Sequence, residues 1–143
     1  MFIGEYIHTI DNKGRYIPPA RFREELGDDF VITKGLDSCL FLYTRAAWQV
    51  KIEELARLSS TNADARRFSR NFFASALEAA PDKQCRVLIP PGLRAHAQLT
   101  RDIVTIGVVN RLEIWDKERW EAYNAASAAE YEAVAEKLAD IRL

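Results

Sequence analysis

The stretch Asp11-Asn12-Lys13-Gly14-Arg15-Tyr16-Ile17-Pro18-Pro19-Ala20-Arg21-Phe22-Arg23 decides the reading of this chain, because a second version of it begins at Asp82. There the sequence runs Asp82-Lys83-Gln84-Cys85-Arg86-Val87-Leu88-Ile89-Pro90-Pro91-Gly92-Leu93-Arg94. A shift of 71 residues places Asp11 on Asp82, Arg15 on Arg86, Ile17 on Leu88, Pro19 on Pro90, Phe22 on Leu93 and Arg23 on Arg94, with Lys13 near Lys83. At a shift of 72 the match continues, with Val31-Ile32-Thr33 on Ile103-Val104-Thr105, Gly35 on Gly107, Leu40 on Leu112, Tyr43 on Trp115 and Trp48 on Trp120. A supersecondary unit of about forty residues is thus duplicated, and two copies suit a pseudo-two-fold pair better than a solenoid.

Within each copy the local signals repeat. Glu5 to Ile10 alternates and is rich in β-formers, Asp11 to Gly14 is a polar turn, and Arg15 to Ile17 is a second short strand, so the three predict a hairpin. Pro18-Pro19 stops that strand and opens a short helix over Ala20 to Leu26, ended by Gly27. Strands follow at 30–33 and 39–43, then a helix capped by Thr44 through about Leu58. Residues 63–80 read as one helix with Phe68, Phe72 and Ala76 on its core face, closed by Pro81. The second copy predicts a strand at 87–89, a helix from Pro90 to about Leu99, and strands at 103–109 and 112–115. Asp116 caps one long final helix whose stripe is Trp120, Tyr123, Ser127, Tyr131, Val134, Leu138 and Ile141. That stripe packs on the chain's own core or docks on a neighbouring subunit.

Composition excludes several functions. With 143 residues, 48% hydrophobic and 29% charged, the chain has the make-up of a soluble globular protein. Its net charge of −1 means that any binding to nucleic acid must use segregated charge. Charge is segregated: residues 66–101 hold seven Lys/Arg against two acids, whereas residues 113–143 hold four against eight. Cys39 and Cys85 lack metal-ligand spacing, and His8 and His96 stand outside any motif, so neither a metal nor another cofactor is expected. The N-terminus lacks the pattern of a signal peptide, and no apolar run approaches the roughly 20 residues that span a bilayer. The expected location is the cytoplasm, with reduced thiols and no membrane partner.

The chemistry of the repeat lies in its charges. Asp11 with Arg15, and Asp82 with Arg86, are four apart across a turn. There a carboxylate can bind turn amides and hold a guanidinium in one orientation. An acid-protease-like dyad of Asp11 and Asp82 is disfavoured, because the Lys and Arg after each keep both ionised. A third class is a scaffold that binds proteins through its acidic C-terminal helix.

Asp-Asn-Lys-Gly-Arg with Pro-Ala-Arg-Phe-Arg-Glu, the second copy at 82–94, Leu58-Ser59-Ser60 and Leu112-Glu113-Ile114-Trp115-Asp116 together resemble the MraZ family of bacterial transcriptional regulators. The resemblance covers nearly the whole chain. It implies an α+β fold of two SpoVT/AbrB-like units, 5–52 and 78–121, forming a pseudo-two-fold swapped-hairpin β-barrel. Connecting helices would occupy 53–77 and a C-terminal helix 122–143. It further implies a non-enzymatic repressor of the division and cell-wall gene cluster, associated with the nucleoid. Such a repressor binds short direct-repeat boxes of double-stranded DNA upstream of its own operon as a ring-forming homo-oligomer, with no small-molecule substrate. Carried onto this sequence, Arg15 and Arg86 read bases, Lys13 and Lys83 contact phosphates, and Asp11, Gly14, Asp82 and Cys85 orient the turns. Cys85 departs from the family's glycine, which predicts strain if the turn demands a positive φ. Pro18 stands in place of an apolar strand residue and predicts a frayed strand end.

Overall fold

Strands with apolar residues on both faces need cover on both, and β3 (Phe30–Lys34), β4 (Leu40–Thr44) and β8 (Leu112–Asp116) have it. In the computed structural model, which describes residues 1–138 and 140–143, Phe30, Ile32, Leu40, Leu42, Leu112 and Ile114 point to one core. Their alternates Val31, Phe41, Tyr43 and Trp115 point to a second. Strand pleating, with its period of two, therefore makes the sheet the middle of three layers. The first core is closed by α1 (Ala20–Leu26), α4 (Pro91–His96) and a two-stranded ladder of β2 (Arg15–Tyr16) with β6 (Val87–Leu88). The second is covered by α2 (Arg45–Ala56), α3 (Ala63–Ala74) and α5 (Lys117–Ala128), with Trp48 stacked on Phe72 at 5.4 Å and Trp115 against Trp120 at 5.2 Å.

The remaining strands are β1 (Phe2–Thr9), β5 (Leu77–Ala79) and β7 (Asp102–Val109), and a short helix α6 (Tyr131–Lys137) ends the regular structure. The six-stranded sheet has the order β1-β7-β8-β4-β3-β5, with every pair for which a register is defined antiparallel. This order is a palindrome of the duplication, since β3 and β4 correspond to β7 and β8. The registers obey the same symmetry. Phe41 pairs with Glu113 and Tyr16 with Val87, each residue facing its own repeat equivalent, so the pseudo-two-fold axis passes through both pairs.

Three local expectations are corrected. Residues 5–10 and 15–17 are not the two arms of one laddered hairpin. β1 pairs with β7 and β2 pairs with β6, so each segment finds its partner in the other repeat. The helix expected over 63–80 stops at Ala74, where Ser75 Oγ returns to the Asn71 carbonyl at 2.7 Å. Leu77–Ala79 then forms β5 along β3, tertiary pairing overriding the helix propensity of Leu, Glu and Ala. The single final helix is broken between Ala128 and Tyr131, which lets Val134, Leu138 and Ile141 share a groove with Trp120 and Tyr123. As a result only the start of the stripe packs on the body, while Tyr131, Val134, Leu138 and Ile141 remain exposed. Of the aromatic face of α3, Phe72 is buried but Phe68 is not. In the sheet order β1 and β5 are the two ends, so the six-stranded sheet is open and does not close into a barrel. Asp116 does cap α5, and Thr44 caps α2.

Gly107 is where β1 and β7 approach too closely for a side chain. A Cβ there would lie 2.5 Å from the Ile3 backbone nitrogen and 2.6 Å from the Phe2 carbonyl carbon. Backbone cannot yield as a flexible side chain can, so Gly107→Ala is expected to cost about 1–3 kcal/mol. Gly92, with nothing within 4 Å of its virtual Cβ, is the control. Thermal melts should show Gly107→Ala lowered by several degrees and Gly92→Ala unchanged or raised.

Candidate nucleic-acid interface

Each repeat closes its turn with the same hydrogen bonds. The Gly14 N–H donates to the Asp11 carbonyl at 3.0 Å and the Asp11 N–H to the Arg15 carbonyl at 3.2 Å. In the second copy Cys85 donates to Asp82 at 2.9 Å and Asp82 to Arg86 at 3.0 Å. A three-residue loop closed this way needs its last residue in the left-handed region. Gly14 has φ 81° and Cys85 has φ 62°, so the positive φ expected at Cys85 is present.

The carboxylates then do what their spacing predicts. Asp11 Oδ1 accepts from the backbone N–H of Lys13 and of Arg15, both at 2.9 Å, and Oδ2 accepts from Arg15 Nε. Asp82 Oδ1 accepts from the backbone N–H of Gln84 at 2.8 Å and Arg86 at 3.0 Å, and Oδ2 from Arg86 Nε at 2.8 Å. Gln84, not Lys83, therefore occupies the place of Lys13, and Lys83 stands where Asn12 does. Both carboxyls lie below the usual carboxylate range. The main cause is the backbone N–H of the arginine four residues on, with its side chain adding to the effect.

Holding each arginine by Nε leaves the fork of its two terminal amino groups, Nη1 and Nη2, for an outside acceptor pair. The β2–β6 ladder decides where that fork points. Arg15 lies opposite Leu88 and Tyr16 opposite Val87, and the Ile89 N–H donates to the Gly14 carbonyl at 2.9 Å. Tyr16 and Val87 face the core, at 0% and 5% exposure. By alternation Arg15, Ile17, Arg86 and Leu88 share the outer face, where Ile17 and Leu88 are exposed. The ladder is anchored from beneath. Tyr16 Oη and His8 Nε2 both meet Thr105 Oγ1, at 2.7 and 2.8 Å, and burial lowers the His8 pKa to about 4, so the imidazole is neutral. β6 reaches Leu88, the equivalent of Ile17, whereas β2 stops at Tyr16. The bond from the Ile89 N–H to Gly14 has no counterpart from Pro18, which lacks an N–H, so the strand end before Pro18 is one residue shorter, as expected.

Two further cations belong to the site. Arg23 Nε donates to the Pro18 carbonyl at 2.8 Å and Arg94 Nε to the Ile89 carbonyl at 2.9 Å, tying α1 and α4 to the ends of the ladder strands. The Arg94 guanidinium also covers Gly14, and Arg23 and Cys85 line one small cavity of about 40 Å³. The repeat superposes Arg23 on Arg94, a signal that sequence reading used only for alignment. Each turn thus carries two cations and one carboxylate with an arginine braced behind it, and an antiparallel ribbon of this kind fits a major groove.

A family model for the MraZ protein matches residues 1–71 and matches again over 72–142. The chain belongs to the MraZ family. Proteins named Transcriptional regulator MraZ are similar over nearly their whole length. One from Moorella thermoacetica is 54% identical over 98% of both chains, and one from Clostridium tetani is 51% identical over 99% of both. One from Heliobacterium modesticaldum is 54% identical over 100% of both. The two matched segments divide the chain where the duplication does.

Position 85 and its equivalent, position 14, should respond oppositely to substitution. Cys85→Gly removes a side chain from a left-handed residue, expected to gain about 1–2 kcal/mol. Gly14→Ala adds strain and drives a Cβ to 2.7 Å from the Arg94 guanidinium, so it should melt earlier. Paired melts check the signs, and a lower melting point for Cys85→Gly contradicts the strain. The lowered carboxyl pKa values fix a pH dependence as well. A depressed folded pKa adds stability above the unfolded value, about 3.9 for aspartate, and that stability is lost as pH falls through the folded pKa. The Arg15 and Arg86 amide NMR signals should therefore hold still from neutral pH down to about 4 and move only below it.

Proposed function

We propose that this protein is a sequence-specific DNA-binding transcriptional regulator whose reading surface is the outer face of the β2–β6 ladder. The observation that carries this reading is the pair of arginines, one per repeat, each gripped at Nε by its own aspartate and placed on that same face. A free terminal fork matches guanine O6 and N7 in the major groove. Lys13 and Lys83, on the turns, would bind phosphates and set position rather than sequence. Asp11, Gly14, Asp82 and Cys85 act by shaping the turns. Each carboxylate is committed to its own arginine and held ionised, which favours a binding role over catalysis.

Family membership supports the rest of the reading. The pairing of β2 with β6 across the repeats supports two interleaved SpoVT/AbrB-like units, 5–52 and 78–121. The regulator would act in the cytoplasm at the nucleoid. It would repress the division and cell-wall gene cluster through short direct-repeat boxes upstream of its own operon. Ring assembly is supported by two unpaired apolar surfaces: the free edge of β1 with Ile3 and Ile7 exposed, and the α5–α6 groove of about 550 Å³. That groove also favours a second reading, a protein-binding scaffold acting through the acidic C-terminal segment.

The test is a gel shift with duplex DNA from upstream of the operon against scrambled duplex. Arg15→Ala or Arg86→Ala should cost about 1–3 kcal/mol each and relax sequence preference. Normal specific binding by folded Arg15→Ala protein ends the base-reading role. Few cations per subunit make single-box binding weak, so avidity of about 10²–10⁴ must come from assembly. Inserting about 5 base pairs between boxes should collapse affinity, and about 10 should restore much of it. Indifference to a half-turn insertion contradicts the multivalent mechanism.

A further inference from the structure

The outer face of the ladder carries two large aliphatic side chains that neither folding nor the arginine chemistry explains. Ile17 is 37% exposed and Leu88 is 56% exposed, although their strand neighbours Tyr16 and Val87 are almost fully covered. An exposed leucine by itself means nothing. Its placement here does. Leu88 lies directly opposite Arg15, and the pseudo-two-fold that maps Tyr16 and Val87 onto each other sets Ile17 on the Arg86 side, one residue beyond the last laddered pair. In an antiparallel ladder such partners hold their Cβ atoms about 4.5–5.5 Å apart. Each clamped arginine therefore shares the outer face with an aliphatic residue of the other repeat.

We infer that Ile17 and Leu88 are specificity-determining residues that contact thymine C5-methyl groups beside the guanines read by Arg86 and Arg15. The inference rests on the DNA-reading function proposed above and assigns it two further residues. The occupant is a duplex major groove because the aliphatic pair is bracketed by cations. Arg15 and Arg86 lie on the face itself, and Lys13 and Lys83 lie on the turns at its ends. A protein surface would meet these four positive side chains with matched acids, whereas a groove supplies phosphates outside and base edges within. In the major groove the thymine methyl is the one apolar group on a base edge, so an aliphatic side chain set among arginines selects it. The spacing agrees, since a side chain one cross-strand step from a guanine-bound arginine reaches the neighbouring base pair.

The experiment uses the duplex upstream of the operon, amplified once with thymidine triphosphate and once with deoxyuridine triphosphate. Uracil keeps every hydrogen-bonding edge of thymine and lacks only the methyl. Wild-type protein should bind the uracil duplex about fourfold more weakly for each methyl contacted. Ile17→Ser/Leu88→Ser protein, checked for an unchanged melting curve, should bind both duplexes equally and both more weakly than wild type binds the thymine form. Should that variant fail to fold, Leu88→Ser alone, at the more exposed position, should lose part of the discrimination. If wild type binds the two duplexes alike, or if the folded variants still discriminate fully, the methyl-reading role is overturned while DNA binding stands. If wild type prefers neither duplex over scrambled DNA, the proposed function itself is lost.

Discussion

The interaction on which the site depends is the grip of an aspartate carboxylate on the Nε of an arginine four residues later. The carboxylate can hold that group only because its other oxygen is fixed by two backbone N–H groups of the turn. An arginine on a surface strand loses much rotamer freedom when it binds, and this clamp removes part of that freedom beforehand. The turn geometry required for the clamp also requires a left-handed residue just before the arginine. That requirement makes Gly14 and Cys85 part of the clamp's geometry although neither carries charge.

The second constraint is that neither repeat can present its arginine alone. Each contributes one two-residue strand to the ladder, and such a fragment has no stability in water without a partner and a floor. The partner comes from the other repeat. The floor is the six-stranded sheet, reached through Tyr16 and Val87 and pinned by the Thr105 hydroxyl. The duplication therefore does more than double the cations. It builds one ribbon whose two clamped arginines are related by an axis through the Tyr16–Val87 pair. Arg23 and Arg94 tie the ends of the ladder strands to α1 and α4, so a change in those short helices would be felt at the ladder.

Much of this was legible in the sequence for particular reasons. The Asp-x-x-x-Arg spacing, the positive φ at position 85 and the caps at Thr44 and Asp116 are local, and local chemistry determines them. A pseudo-two-fold pairing of the repeats was expected from the duplication, but the strand partners were not. A hairpin reading of residues 5–17 is the natural local choice, and only tertiary pairing sends β1 to β7 and β2 to β6. β5 was invisible for the same reason, since Leu77-Glu78-Ala79 favours helix until β3 offers its edge. The break before Tyr131 has neither Gly nor Pro to mark it. The bracing role of Arg23 and Arg94 was hidden because it runs to backbone carbonyls, which no residue pattern records.

If both clamped arginines face one duplex at once, each reads its own guanine. Interference mapping with 7-deazaguanine tests this most directly, because that base lacks the N7 acceptor of an arginine fork. Wild-type protein should show two interfering guanines on one face of the major groove within each box. Arg15→Ala should erase one of them and Arg86→Ala the other, while Lys13→Ala and Lys83→Ala leave both in place and weaken binding uniformly. An unchanged interference pattern in the arginine variants would contradict the claim.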